Sequence, residues 1–219
     1  MEPGSAPMQE AVWREPTALS ATLFAAKMAV FQVRRGLVDL VAAPPRLERA
    51  VVDFPETVAE ARSPLVSPDY SGRPEHQAGK IANLRVACAA IDGLWLAPGA
   101  VFSFWRHVGR PTRARGYVEG RMLQGGSLSP AVGGGLCQLS TALYEVALQA
   151  NLTILERHAH SRIVPGPNAA RAGRDATVAW NYVDLRFASP DRALRLGAVV
   201  TADDLVVSFR AMLPPPSEG

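Results

Sequence analysis

Apolar positions along the chain follow two regimes: helical spacing in three stretches, then short apolar runs toward the C-terminus. Leu19, Leu23 and Val30 mark a first helix over about Ala18–Val41, with Thr17 as its cap, and Ala18–Val33 carries a single charge, Lys27. Ile81, Leu84, Cys88 and Ile91 share one face of a second helix that Gly93 stops. Leu136, Leu139, Leu143, Val146 and Ala147 predict a third over Leu136–Ala150. Ala100–Trp105 reads as a strand, residues 109–121 as an exposed loop and short strand, and Gly125-Gly126 as a turn. Leu152–Glu156, Ala176–Trp180, Tyr182–Phe187, Leu194–Val200 and Leu205–Ala211 have strand character. Helices followed by closely spaced strands predict an α+β fold with a mainly antiparallel sheet, in which a Gly-rich loop leads into the helix that starts near Cys137.

The pattern also divides the chain. Residues 1–16 are Pro-rich and aperiodic, a loose leader. Residues 17–74 form a helical and Pro-rich extension, whose prolines at 44, 45, 55, 64, 68 and 74 predict a connector with little regular structure over 42–79. The body runs over 75–213, and Pro214-Pro215-Pro216 opens a tail, 214–219. The first helix admits two readings. As an export or anchor segment it lacks a basic region in front and a clean small-residue cleavage site, and its apolar run is short of the roughly 20 residues that span a bilayer. As an amphipathic helix it packs on the body, with Arg34 and Arg35 suited to its C-terminal half or to peripheral contact of residues 18–35 with a membrane surface. The missing signal favours a cytoplasmic or membrane-associated protein, and an export role for the helix would place it in the cell envelope.

Composition narrows the class. The 219 residues are 48% apolar and 20% charged, which excludes a disordered, collagen-like or multi-span membrane chain. The 23 basic residues comprise two lysines, Lys27 and Lys80, and otherwise arginine, a skew that fits GC-rich coding better than a partner. No basic stripe is present, so no nucleic-acid partner is expected. Two cysteines are too few for a disulfide framework. Cys88, on an apolar stripe among alanines, reads as core.

Cys137 differs. It follows Gly133-Gly134-Gly135 in the first turn of the third helix, where the positive end of the helix dipole favours thiolate. The glycines permit positive φ and close approach, and backbone N–H groups at the helix start can hold an oxyanion. His158 and His160 lie on one side of an extended backbone just beyond the next strand, and Asp175 or Asp184 can orient an imidazole. Nucleophile and base would then form a Cys–His site. A Gly run that only lets a loop pass tightly, beside a structural cysteine, is the competing reading. Zinc held by Cys137, His158, His160 and an aspartate would need ligand spacings such as CxxC or HExxH that are absent, so neither metal nor cofactor is expected.

Several motifs resemble the VanW family. These are Gly79-Lys80-Ile81-Ala82-Asn83-Leu84, Ala97-Pro98-Gly99-Ala100-Val101-Phe102-Ser103-Phe104-Trp105, Gly133–Ser140, Glu156-Arg157-His158-Ala159-His160 and Asp175-Ala176-Thr177-Val178, with Asp184-Leu185 beyond. They span roughly residues 75–190, in family order and spacing. The resemblance implies a role in cell-wall biology and, by likeness to L,D-transpeptidase members, cysteine-dependent acyl transfer on peptidoglycan stem peptides or their precursors. It implies Cys137 as nucleophile, His160 ahead of His158 as base, and Asp175 and Asp184 as the acidic positions. Gly133, Gly134 and Gly135, with Gln138, Ser140 and Trp105, become candidates for holding substrate or oxyanion. The alternative is a non-catalytic module that binds peptidoglycan or glycopeptide and is linked to glycopeptide resistance. Arg106, Arg110, Arg113, Arg115 and Arg121 fit either a carboxylate- or phosphate-bearing wall polymer or a solvated loop.

Overall fold

The computed structural model describes residues 18–66, 74–124, 127–159 and 174–212. The expected leader over 1–16, the cap at Thr17, the Gly125-Gly126 turn, His160 and the tail over 214–219 lie outside the described residues.

The fold is α+β, with four α-helices and antiparallel sheets among the described residues. In chain order the elements are α1 (Ala18–Ala42), β1 (Glu56–Pro64), α2 (Pro74–Ile91), β2 (Trp95–Leu96), β3 (Val101–Ser103), α3 (Phe104–Val108), β4 (Glu119–Gln124) and β5 (Ser127–Val132). They continue with α4 (Leu136–Gln149), β6 (Thr153–Glu156), β7 (Arg186–Ala188), β8 (Leu194–Val200) and β9 (Asp204–Ala211).

The main sheet has the order β1-β9-β8-β2. Its inward row is set by alternation: Ala59 faces Phe209, which faces Leu196, and Ala61 faces Val207, which faces Ala198. The inward residues of β1 are small, and that is why α4 can pack across β1 as well as β9. Helix α2 covers β8 and touches α4, so both helices bury their apolar faces on one side of the sheet. A smaller sheet, β3-β7-β6, joins this core through aromatics. Phe102 stacks on Phe187 at 4.7 Å, and Phe187 meets Phe209 of β9 edge-on at 5.8 Å. The hairpin β4–β5 lies against α2.

Three departures from the sequence pattern have local causes. The segment 56–64, expected as irregular connector, is a nine-residue strand whose inward positions are Ala59, Ala61 and Ser63. Those inward positions carry none of the β-branched and aromatic residues that mark strands, and Thr57 and Val58 stand alone at its start. The strand expected over Ala100–Trp105 stops at Ser103, because the Ser103 hydroxyl accepts from the Arg106 N–H at 3.3 Å and caps α3. Ala176–Trp180 is extended but forms only an isolated bridge, Ala179 to Val183.

Helix α1 lies on the body through polar ties. Gln32 donates to the Trp180 carbonyl at 2.7 Å, Phe31 stacks on Tyr182 at 5.7 Å, and Arg35 donates both terminal nitrogens to Glu156 at 3.0 Å. The amphipathic reading of this helix therefore accounts for its inner face. Among the described residues no helix is long and apolar enough to cross a membrane.

Candidate active site

The Gly run is gripped from two sides. Gly133 and Gly135 have φ of 81° and 100°, conformations that glycine adopts without a Cβ penalty. A Cβ on Gly134 would strike the Gly120 carbonyl of β4, and one on Gly135 would strike the Lys80 stem of α2. Buried Asn83 donates to the carbonyls of Val118 at 3.0 Å and Gly134 at 2.9 Å, and its own oxygen accepts the Val118 N–H at 2.9 Å. The Lys80 ammonium donates to the Leu65 carbonyl at 2.6 Å. Burial, helped by the nearby Arg121 charge, lowers its pKa to about 8. Lys80 and Asn83 thus act as a support beneath the loop.

The loop delivers Cys137 into the first turn of α4. Its side chain is half-buried, with Sγ 3.6 Å from the Thr177 hydroxyl and 3.7 Å from the Val178 carbonyl. Cys88 is fully enclosed, and burial together with Asp92 pushes its thiol up to about 12. The two thiols are therefore chemically distinct. The N–H groups of Gly133 and Gly134 are already bonded to the carbonyls of Val118 and Ala131. The backbone N–H groups that the intrahelical ladder leaves unused at this helix start are those of Gly135, Leu136 and Cys137.

The segment 174–178 runs past the thiol, held by α4 on one side and by the end of β6 on the other. Ser140 donates to the Ala176 carbonyl at 2.6 Å, and the Thr141 hydroxyl accepts the Ala176 N–H at 3.2 Å. On the far side the Thr177 N–H donates to the His158 carbonyl at 2.8 Å, and Arg157 binds the Asp175 carbonyl at 2.7 Å and carboxylate at 3.1 Å. Thr177 is thus in contact with both Cys137 and the backbone of His158. The His158 ring is exposed, with Nε2 3.4 Å from Glu156. Tyr182 lies near the thiol as well: burial, and the charge of Cys137, push its hydroxyl above the ordinary range.

Other sequence candidates occupy supporting positions. Gln138 donates to the Ser63 hydroxyl and the Pro64 carbonyl, both at 2.8 Å, tying α4 to the end of β1. Ser140 is fully buried. Trp105 is buried, donates to the Val183 carbonyl at 2.7 Å and meets Trp180 edge-on at 5.4 Å. Asp184 accepts from Ser103, Arg186, Arg35 and the N–H groups of Trp105 and Leu185, none of them a histidine. It sits at the centre of an ion cluster of Arg35, Asp39, Glu156 and Arg186 that fastens α1 to β6 and β7. Burial pushes Glu156 up, but hydrogen bonds and charge from Arg35, with the Asp184 N–H and Arg186, outweigh it and hold the carboxyl low. Among the described residues no group of histidine, cysteine and carboxylate side chains is placed to hold a metal.

Sequence reasoning gave no role to Lys80, Asn83, Thr177 and Tyr182. The first three stand inside quoted motifs, whereas nothing in the sequence points to Tyr182.

A family profile described as "VanW like protein" matches residues 79–210. Uncharacterized protein YoaR of Bacillus subtilis (strain 168) is 41% identical over 105 residues, 48% of this chain and 34% of that protein. Vancomycin B-type resistance protein VanW of Enterococcus faecalis (strain ATCC 700802 / V583) is 36% identical over 131 residues, 59% of this chain and 47% of that protein. The chain thus spans less than half the length of either relative. No solved structure matches it.

Proposed function

The chain belongs to the VanW-like protein family and is related to a vancomycin resistance protein, and from that premise we propose that it is a cysteine-dependent acyl-transfer domain acting on peptidoglycan stem peptides or their precursors. In this reading the Cys137 sulfur attacks a peptide carbonyl carbon, and the resulting oxyanion is held by the N–H groups of Gly135 and Leu136. The tetrahedral species collapses as the C–N bond breaks, with the proton delivered to the leaving amine by a histidine. An acceptor amine then attacks the thioester, forms a new amide and releases the thiol. His160, or else His158, is the proton carrier, and Asp175 is preferred to Asp184 as its acidic partner, because the donors around Asp184 fasten α1.

One observation carries the reading. A half-buried thiol at a helix start, behind a rigid Gly loop, touches Thr177, whose N–H is bonded to the histidine-bearing segment.

The test is incubation of the whole chain with tetrapeptide muropeptides, followed by mass spectrometry. The expected result is an acyl adduct on Cys137 or an amide-crosslinked product, both absent with Cys137→Ala. Muropeptide binding with neither product would support the non-catalytic binding module instead. A thiol probe should also label Cys137 at least about 100-fold faster than Cys88 in the folded protein, since Cys88 is sealed and its thiol raised whereas Cys137 is half-buried. Equal labelling would count against an activated thiol.

A further inference from the structure

Beyond the thiol, a cleft of about 420 Å³ opens between the C-terminal half of α1 and the stretch from α3 to Arg115. Five arginines and two aspartates line it. The two aspartates are neutralised within the fold: Arg186 donates to Asp39 at 2.8 Å and to Asp184 at 2.9 Å, and Arg35 reaches both. Arg115 is fixed as well, donating to the Arg110 carbonyl at 3.0 Å, with its guanidinium laid over Gly109, whose φ of 72° and missing Cβ make room for it. The remaining three, Arg46, Arg106 and Arg110, are exposed, and among the described residues no carboxylate pairs with them. Buried His107 lies within reach of two of these arginines. Burial lowers its pKa against the Ser103 carbonyl bond that raises it, and the charges of Arg46 and Arg106 lower it further while that of Asp184 raises it. Its Nε2 accepts the Leu47 N–H at 2.9 Å, as a neutral ring does.

We propose that this cleft binds a phosphate-bearing ligand, with the phosphate held by the guanidiniums of Arg46, Arg106 and Arg110. A single arginine fork satisfies a carboxylate, whereas a phosphate carries up to two charges and three acceptor oxygens and engages several forks at once. Trp180, half-buried on the cleft wall, offers a face to whatever carries the phosphate. The phosphate has two possible sources, a soluble phosphate ester and a lipid headgroup. The second is suggested by the cleft rim, where Leu40 is 82% exposed and continues an apolar face of α1 through Val33, Leu37 and Val41. The proposal does not rest on the acyl-transfer reading, because it involves binding alone.

The test uses the whole chain carrying Cys137→Ala, so that loss of acyl transfer cannot affect it. Tryptophan fluorescence is titrated with inorganic pyrophosphate and with acetate at constant ionic strength. Pyrophosphate should bind saturably and at least about tenfold more tightly than acetate, and Arg106→Ala or Arg110→Ala should each weaken it by about fivefold or more. Arg62→Ala, at an exposed arginine paired with Glu60 on β1, should leave it unchanged. Absence of pyrophosphate binding, parity with acetate, or equal weakening by Arg62→Ala would overturn the proposal. Flotation with phosphatidylglycerol and phosphatidylcholine vesicles separates the sources. Flotation confined to phosphatidylglycerol and competed by pyrophosphate assigns the site to a lipid headgroup. Retained pyrophosphate binding without such flotation assigns it to a soluble phosphate.

Discussion

The Asn83 side chain donates to the carbonyl of Gly134 at 2.9 Å across 51 residues of sequence, so the loop that presents the thiol is held by a helix outside it. The same amide closes a reciprocal pair with Val118, leaving none of its hydrogen-bonding groups idle.

Replacing Asn83 with alanine should therefore destabilise the protein by about 3 kcal/mol, from three lost bonds at about 1 kcal/mol each. Urea unfolding measures the loss. An effect below about 1 kcal/mol would mean that water replaces the amide and that the loop does not depend on it.

Gly135→Ala and Gly99→Ala form a matched pair. Both glycines have positive φ, but a Cβ at Gly99 meets open space whereas one at Gly135 meets the Lys80 stem. Gly99→Ala should cost only the conformational penalty, about 1 kcal/mol. Gly135→Ala should cost about 2–4 kcal/mol, since overpacking against a buried side chain adds to it. Equal midpoints in urea would show that the Lys80 stem yields freely.

Lys80 should give stability a pH signature. Its pKa is about 8 when folded, against the ordinary lysine value of 10.5 when unfolded, so between those limits the unfolded chain binds more protons. The destabilisation from the buried charge is then full below pH 8 and relieved as pH rises toward 10.5. Cys88 acts oppositely above pH 9, because its buried thiol stays protonated while the unfolded one ionises. Comparing the wild type with Lys80→Met removes that second effect. The wild type should gain stability relative to the variant between pH 7 and pH 9.5, and the Leu65 carbonyl keeps Gln77 as a donor in both. A constant difference across this range would mean that the ammonium is solvated.

Arg35→Ala should loosen α1 selectively. Arg35 joins Asp39, Glu156 and Asp184, and its loss leaves Asp184 with Ser103 and Arg186. Amide hydrogen exchange over 18–42 should accelerate about tenfold or more while α2 and α4 stay protected. Uniform acceleration would make the cluster a determinant of global rather than local stability.

Legibility in the sequence followed side-chain size. Helix α4 matched its apolar spacing to within a residue, and β8 and β9 announced themselves through Leu194–Val200 and Leu205–Ala211. Strand β1 did not, because Ala59, Ala61 and Ser63 pack inward without a large apolar residue. At the candidate site, the Gly run and Cys137 stood out because positive φ and a helix start leave a residue-level mark. The support from Lys80 and Asn83 left none, since a polar side chain on a helix reads as solvent-facing until the carbonyls it meets are known. The grip of the arginines on Asp184 likewise required the position of α1, which local pattern does not encode.

Strand β1 lies before the family-matched stretch 79–210, yet it pairs along nearly the whole of β9. A fragment cut to that stretch would leave the backbone donors and acceptors of β9 as a long open edge carrying Val206, Val207 and Phe209. Such an edge recruits strands from other chains, so a trimmed domain should aggregate more readily than the chain that keeps β1. The segment preceding the recognisable motifs is thus a built-in edge protector, and expression boundaries for this domain belong before residue 56 rather than at residue 79.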